Sequence, residues 1–151
     1  GDILSMERGD YRWRISVPAD GHLPGEGLVP TLIQWDVPFH PAERLPETAL
    51  VAERGEEICG YLFGRDGREA RQLGPLIAAD QPTAQALLAH ALAQVPAPLY
   101  IDILDRHTSL RNWALLQGFV VQRPFTRMVR GAERAPGDNE TVMLVAGPEL
   151  G

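Results

Sequence analysis

The sequence predicts an α/β or α+β fold in one domain, a mixed and mostly antiparallel sheet flanked by two helices, and three observations lead there. Residues 69–95 (EARQLGPLIAADQPTAQALLAHALAQV) read as strand, short loop and amphipathic helix in immediate succession. Closely spaced strand-like runs precede them, separated by turns, one of which carries Asp66-Gly67, a strong hairpin signal. Beyond the helix, Pro96 and Pro98 deliver the chain into a compact β-rich run, LYIDIL, at residues 99–104.

Taken in order, Tyr11, Trp13, Ile15 and Val17 alternate with Arg12, Arg14 and Ser16. That period of two predicts a half-buried strand closed by Pro18. Residues 19–27 are rich in glycine and proline and predict an exposed loop. Residues 28–35 (LVPTLIQW) predict a second strand, which Pro30 places at an edge or at its own start. Three prolines, Pro38, Pro41 and Pro46, make 36–46 an irregular connection. Strands at 49–52 and 58–63, turns at 54–57 and 65–68, and the run around Arg71, Leu73 and Leu76-Ile77-Ala78 predict a three-stranded antiparallel meander over 50–77. Gly74-Pro75 interrupts the ladder of its last strand.

Asp80-Gln81-Pro82-Thr83 is a helix-start signal with proline in the first turn. Ala84, Leu87, Leu88, Ala91, Leu92 and Val95 then share one helical stripe, so the spacing predicts a helix over 84–95 with Leu87, Leu88, Ala91 and Leu92 toward the sheet. The run at 99–104 returns beside the strand that precedes this helix, a βαβ unit. A second helix is expected over 109–116, capped from 105–108 and ended by Gly118. A strand starts at Phe119-Val120-Val121, another lies near 125–130 and a last one near 141–145, bracketing a loop at 131–139.

The chain has 151 residues, 44% of them hydrophobic and 23% charged, the composition of a globular domain with a proper core. Net charge is −6 and every basic residue is arginine, with no basic cluster interleaved with aromatics, so no nucleic-acid partner is expected. No apolar run reaches the length of a membrane span and no secretory leader pattern opens the chain, so a cytoplasmic place and no membrane partner are expected. Gly1 in place of methionine is what a cut chain or a tag remnant leaves. The single Cys59, beside Ile58 and Gly60, reads as a small core residue.

Several phrases then resemble the GNAT acyl-CoA N-acyltransferase superfamily, in particular its YitH-like branch: ALVAERGEEICGYLFGRDG, QLGPLIAAD, LYIDILDRHTSLRNWALLQGF, VQRPFTRMVRG and VAGPELG, in that order over 48–151. The resemblance implies acetyl-CoA as co-substrate and an amine acceptor, small molecule or peptide, that attacks the thioester directly. It implies that Leu73, Gly74, Leu76, Ile77 and Ala78 form an edge for the pantetheine arm, and that Gln81, Thr83 and Ala84 offer amides to the pyrophosphate at a helix N-terminus. The sequence departs from the pattern twice. Residues 79–84 (ADQPTA) hold no glycine and place Asp80, a helix cap or a ligand neighbour, where phosphate would lie. Where many GNAT enzymes have a tyrosine as general acid before the terminal Gly-Phe, this chain has Ala114-Leu115-Leu116-Gln117, leaving Tyr61 or Tyr100 to substitute. The catalytic residue therefore stays unassigned.

Residues 3–47 resemble instead a segment of the glyoxalase-like proteins of the VOC superfamily, whose modules hold a divalent metal with His and Glu. The chain therefore looks composite, joined near Glu47, and a metal-dependent glyoxalase-like enzyme and a non-catalytic GNAT-like module stand beside the acyltransferase as readings. His22, His40, His90 and His107 are scattered; His40 with Glu43 is the sole near-neighbour ligand pair, in a proline-rich loop, and no metal site is assigned. Asp102 and Asp105 sit beyond a strand's carboxyl end, where α/β sheets place functional groups. Trp13, Trp35 and Trp113 fall in apolar patterns and read as core, and Arg123, Arg127 and Arg130 read as a phosphate contact or a solvated strand face. Because a two-stranded N-terminal piece is marginal alone, it should pair with the rest of the sheet or with a second copy, and a homodimer is expected.

Overall fold

The structure is a computed structural model that describes residues 2–8, 29–32, 45, 48–135 and 137–147, the first two segments by their backbone. Strands β1 (Asp2–Arg8), β2 (Val29–Leu32), β3 (Leu50–Arg54), β4 (Glu57–Arg65) and β5 (Arg71–Ala78) lead into helix α1 (Gln81–Gln94). Strand β6 (Leu99–Leu104), helix α2 (Thr108–Leu116) and strands β7 (Phe119–Thr126) and β8 (Val142–Leu144) follow. Among the described residues all eight strands join one sheet in the order β2-β3-β4-β5-β8-β6-β1-β7. The pairs are antiparallel except β5 with β6, which run parallel. This is the expected α+β architecture, and the meander β3-β4-β5 and the βαβ unit β5-α1-β6 are both present.

The core lies under α1. Leu50, Leu62, Leu73 and Leu76 of the meander, Leu87 and Leu88 of α1, and Ile101 and Ile103 of β6 are fully buried in one cluster. The helix begins at Gln81, earlier than the stripe predicted, because Asp80 caps it and proline is tolerated in its first turn. It also buries Ala86 and Ala89 beyond that stripe, side chains small enough to let neighbouring backbone approach.

Other expectations change. Strand β1 was not foreseen, whereas the strand expected at 11–17 lies outside the described residues. The segments near 119–121 and 125–130 form one strand, β7, that stops at Thr126. Pro124 sits inside it without breaking it, because β7 is an edge strand partnered only by β1 among the described residues. Of the N-terminal strands expected to add to the sheet, the one at 28–35 does so as β2, beside β3, and the unforeseen β1 lies between β6 and β7. No helix among the described residues is long and apolar enough to cross a membrane.

Candidate active site

Strands β5 and β6 run side by side only at their first residues, where Arg71, Gln72 and Leu73 pair with Leu99, Tyr100 and Ile101. Beyond that point they part, and the space between them is filled. Strand β8 lies in the fork, antiparallel to both, with Leu144 opposite Leu76 on one side and Ile103 on the other, and Val142 opposite Ile77. Backbone bonds hold it on each flank: the Ala78 amide donates to the Thr141 carbonyl at 2.9 Å, and the Val145 amide donates to the Asp102 carbonyl at 3.1 Å. Met143, Leu144 and Val145 are all buried.

Gly74 explains how the chain fits. Its φ of +147° favours glycine, and a Cβ there would overlap the Val145 carbonyl oxygen. A ladder shift falls here too: Leu62 pairs with Leu76 and Gly64 with Leu73, which leaves Gly74-Pro75 as a bulge in β5. The interruption read from the sequence thus makes room for β8.

The second half of the expected cofactor site is the N-terminus of α1, where the Thr83 and Ala84 amides are engaged inside the chain. Asp80 Oδ1 accepts from the Thr83 amide at 2.9 Å and from the Thr83 hydroxyl at 2.5 Å, and the Ala84 amide donates to the Asp80 carbonyl at 3.2 Å. Arg54 donates to Asp80 Oδ2 at 3.0 Å. Partial burial works against ionisation of Asp80, but the bonds from Thr83 and Arg54 outweigh it and hold the carboxyl below its ordinary range. Thr83 and Ala84 are fully buried, and a Cβ on Gly60 would meet the Thr83 methyl at 2.9 Å, so β4 presses close against this turn. Among the expected cofactor residues, Leu73, Gly74, Leu76, Ala78, Thr83 and Ala84 are buried, while Ile77 and Gln81 are half-buried.

Asp102 is buried on β6 and accepts from the Gln72 side chain at 3.0 Å, which ties β5 to β6 at the base of the fork. Asp105, half-buried, follows that strand. Tyr61 packs its ring 5.4 Å from Phe63, and the Tyr100 hydroxyl accepts from Gln122 at 3.3 Å. Trp113 and Cys59 pack against the core as expected, and the Cys59 thiol donates to the Ala52 carbonyl. Arg123 lies over the Phe125 ring and Arg127 donates to Asn139, so these two serve the strand and the following loop, while Arg130 is exposed. Burial lowers the pKa of His90 on α1.

Sequence reasoning missed His107, whose Nε2 lies 2.7 Å from the Val142 carbonyl and 3.0 Å from the Asn139 carbonyl, pinning the entry to β8. Its place just before α2 signalled only a cap, a role its side chain does not take. Also missed was an open pocket of about 560 Å³ beside this entry, lined by Arg106, Arg127, Arg134, Glu133, Asp138 and Glu140 among others. Arg106 pairs with Glu140 across it. Among the described residues no three of His, Cys, Asp or Glu gather as metal ligands; His22, His40, Glu43, Trp13 and Trp35 lie outside them.

Comparison with known families places these features. The model of the acetyltransferase (GNAT) domain matches residues 42–144. The chain belongs to the GNAT acetyltransferase family. A glyoxalase-like domain model matches residues 1–54, so the chain is composite in its similarities, and the expected join near Glu47 falls where the two matches overlap. Strands β1 and β2 lie in the glyoxalase-like match alone, and β4 through β8 in the GNAT match alone. No curated protein and no solved structure matches the chain. GNAT domains generally take acetyl-CoA as co-substrate. In this GNAT chain the residues do not fit that group as they stand, because β8 fills the fork and Asp80 engages the Thr83 and Ala84 amides.

Proposed function

We propose that this chain is a GNAT acyltransferase-type domain held in a closed, non-catalytic arrangement, a module that folds and packs as the family does but keeps acyl-CoA out. One observation carries the reading: β8 makes ladder contacts to both β5 and β6 in the fork where a pantetheine arm would lie. The engaged amides at the start of α1 support it, since Pro82 has no N–H and Thr83 and Ala84 already donate to Asp80. Within the family, the phrases QLGPLIAAD and VAGPELG favour the YitH-like branch.

A second reading, the acyl-CoA-dependent N-acyltransferase with an amine acceptor, requires β8 to leave the fork. The shortness of β8, three residues at the end of the segment 127–141, favours it. Of the two strands whose pairing motivated a homodimer, the one at 28–35 finds a ladder in its own sheet as β2, and the one at 11–17 lies outside the described residues.

Half-buried Ile77 and Val142 face each other across β5 and β8, at a spacing that suits a disulfide. The test is Ile77→Cys with Val142→Cys in a Cys59→Ala background, titrated with acetyl-CoA in a thermal-shift assay. The oxidised protein is expected to show no shift, whereas a ligand at a hundredfold its dissociation constant would add about 2.7 kcal/mol. Binding of acetyl-CoA to the oxidised, locked protein overturns the reading.

A further inference from the structure

Strand β7 reaches the sheet only through β1 among the described residues, and β1 lies outside the GNAT-matching part of the chain. That part therefore holds two strands, β6 and β7, with a berth between them that a strand from elsewhere fills. Without β1, β7 would present an unpaired row of N–H and C=O groups on each edge.

Strand β8 can occupy the same berth. It runs antiparallel to β6, as β1 does, so the two point the same way and both are antiparallel to β7. Their registers match as well: Ile103 of β6 faces Leu144 on one edge and Leu4 on the other. Moving β8 from one edge of β6 to the other is a shift of two strand spacings, about 10 Å. The segment 127–141 that joins it to β7 can extend to about 50 Å, so it does not limit the move. The product is a β7–β8 hairpin, and consecutive strands pair with one another roughly two-thirds of the time.

We infer that β1 and β8 compete for the berth between β6 and β7, so that the N-terminal strand keeps β8 in the fork and its withdrawal draws β8 out. The inference rests on the closed-cleft reading for its acyl-CoA consequence, and it makes that cleft responsive to whatever engages the first residues of the chain. When β8 crosses, the Ala78 amide loses the Thr141 carbonyl, and the edge of β5 from Gly74 to Ala78 opens.

The test uses the full chain. Leu4→Pro places proline in a strand flanked on both sides, which removes a donor and weakens β1. Hydrogen exchange at the Ala78 amide is expected to speed up while amides of α1 stay protected. If the open fraction rises tenfold, the apparent acetyl-CoA affinity by calorimetry rises by about the same factor. Should Leu4→Pro lose protection in α1 as well, the opposite manipulation decides. Glu7 pairs with Tyr100, so Glu7→Cys with Tyr100→Cys, in the Cys59→Ala background, clamps β1 to β6 when oxidised.

Slower exchange at Ala78 in the oxidised clamp than in the reduced one supports the competition; equal exchange overturns it. Leu144→Ala, which weakens β8 directly, separates the two ideas. Acetyl-CoA binding by Leu144→Ala but not by Leu4→Pro, with Ala78 exchange unmoved, rejects the competition and leaves the closed-cleft reading standing. An Ala78 response to β1 with no acetyl-CoA binding in either variant keeps the strand exchange and rejects the acyl-CoA cleft.

Discussion

Strands β5 and β7 are each eight residues long, yet they share almost nothing in environment. Along β5 the residues are buried or half-buried without exception, because β4 pairs on one side, β6 and β8 on the other, and α1 packs against it. Along β7 only Phe119 is buried and only Phe125 half-buried; Val120 and Val121 are exposed. The difference teaches that strand propensity sets where extended chain forms, while the number of neighbours sets how much each side chain stabilises it. In β5 a bulge at Gly74-Pro75 is tolerated, even used, because surrounding packing holds the strand on both flanks.

The largest expected effect sharpens the buried side of this comparison. Leu88→Ala removes a fully buried side chain of the helix that covers the central strands, and should cost about 2–5 kcal/mol in denaturant unfolding. A loss below about 0.5 kcal/mol would place that face of α1 outside the core.

An intermediate effect is expected where the two kinds of environment meet. Asp80→Ala removes the cap of α1 and its tie to Arg54, and should cost about 1 kcal/mol at neutral pH. The folded-state pKa of Asp80 lies below its ordinary 3.8, so its stabilisation is complete above that value and is lost as pH falls through the folded pKa. Urea melts from pH 6 downward should therefore show wild type and variant converging in strong acid. A constant gap across that range would assign the role to packing instead of the carboxylate.

The smallest effect tests the exposed side. Val120→Ala lies at a position 57% exposed on an edge strand and should change stability by no more than about 0.5 kcal/mol. A cost comparable to Leu88→Ala would mean that β7 carries a covering partner in solution, and the contrast with β5 would then fail.

Much of the fold was legible because the cues are local. The Asp66-Gly67 turn, the stripe of Leu87, Leu88, Ala91 and Leu92, and the prolines at 96 and 98 each specify chain direction within a few residues, and the meander and βαβ unit followed. The candidate cofactor residues were legible as a strand and a helix start for the same reason, and the cap by Asp80 was among the readings left open. Strand β1 was not legible, since its residues DILSMER hold no clean alternation and its partners lie about a hundred residues away at β6 and β7.

What the sequence determined by itself, then, is most of the pieces: the strand-forming runs other than β1, two helices with their boundaries to within a few residues, and the family to which 42–144 belongs. Where β1, β2 and β8 lie in the sheet was decided only in the tertiary structure. Placing β8 between β5 and β6, and β1 between β6 and β7, depends on long-range ladders, on the space that Gly74 leaves for the Val145 carbonyl and on the carbonyls that His107 grips. Propensity and period act over a few residues, whereas strand order is settled by backbone bonds between residues far apart in the chain, and it is strand order that closes the fork.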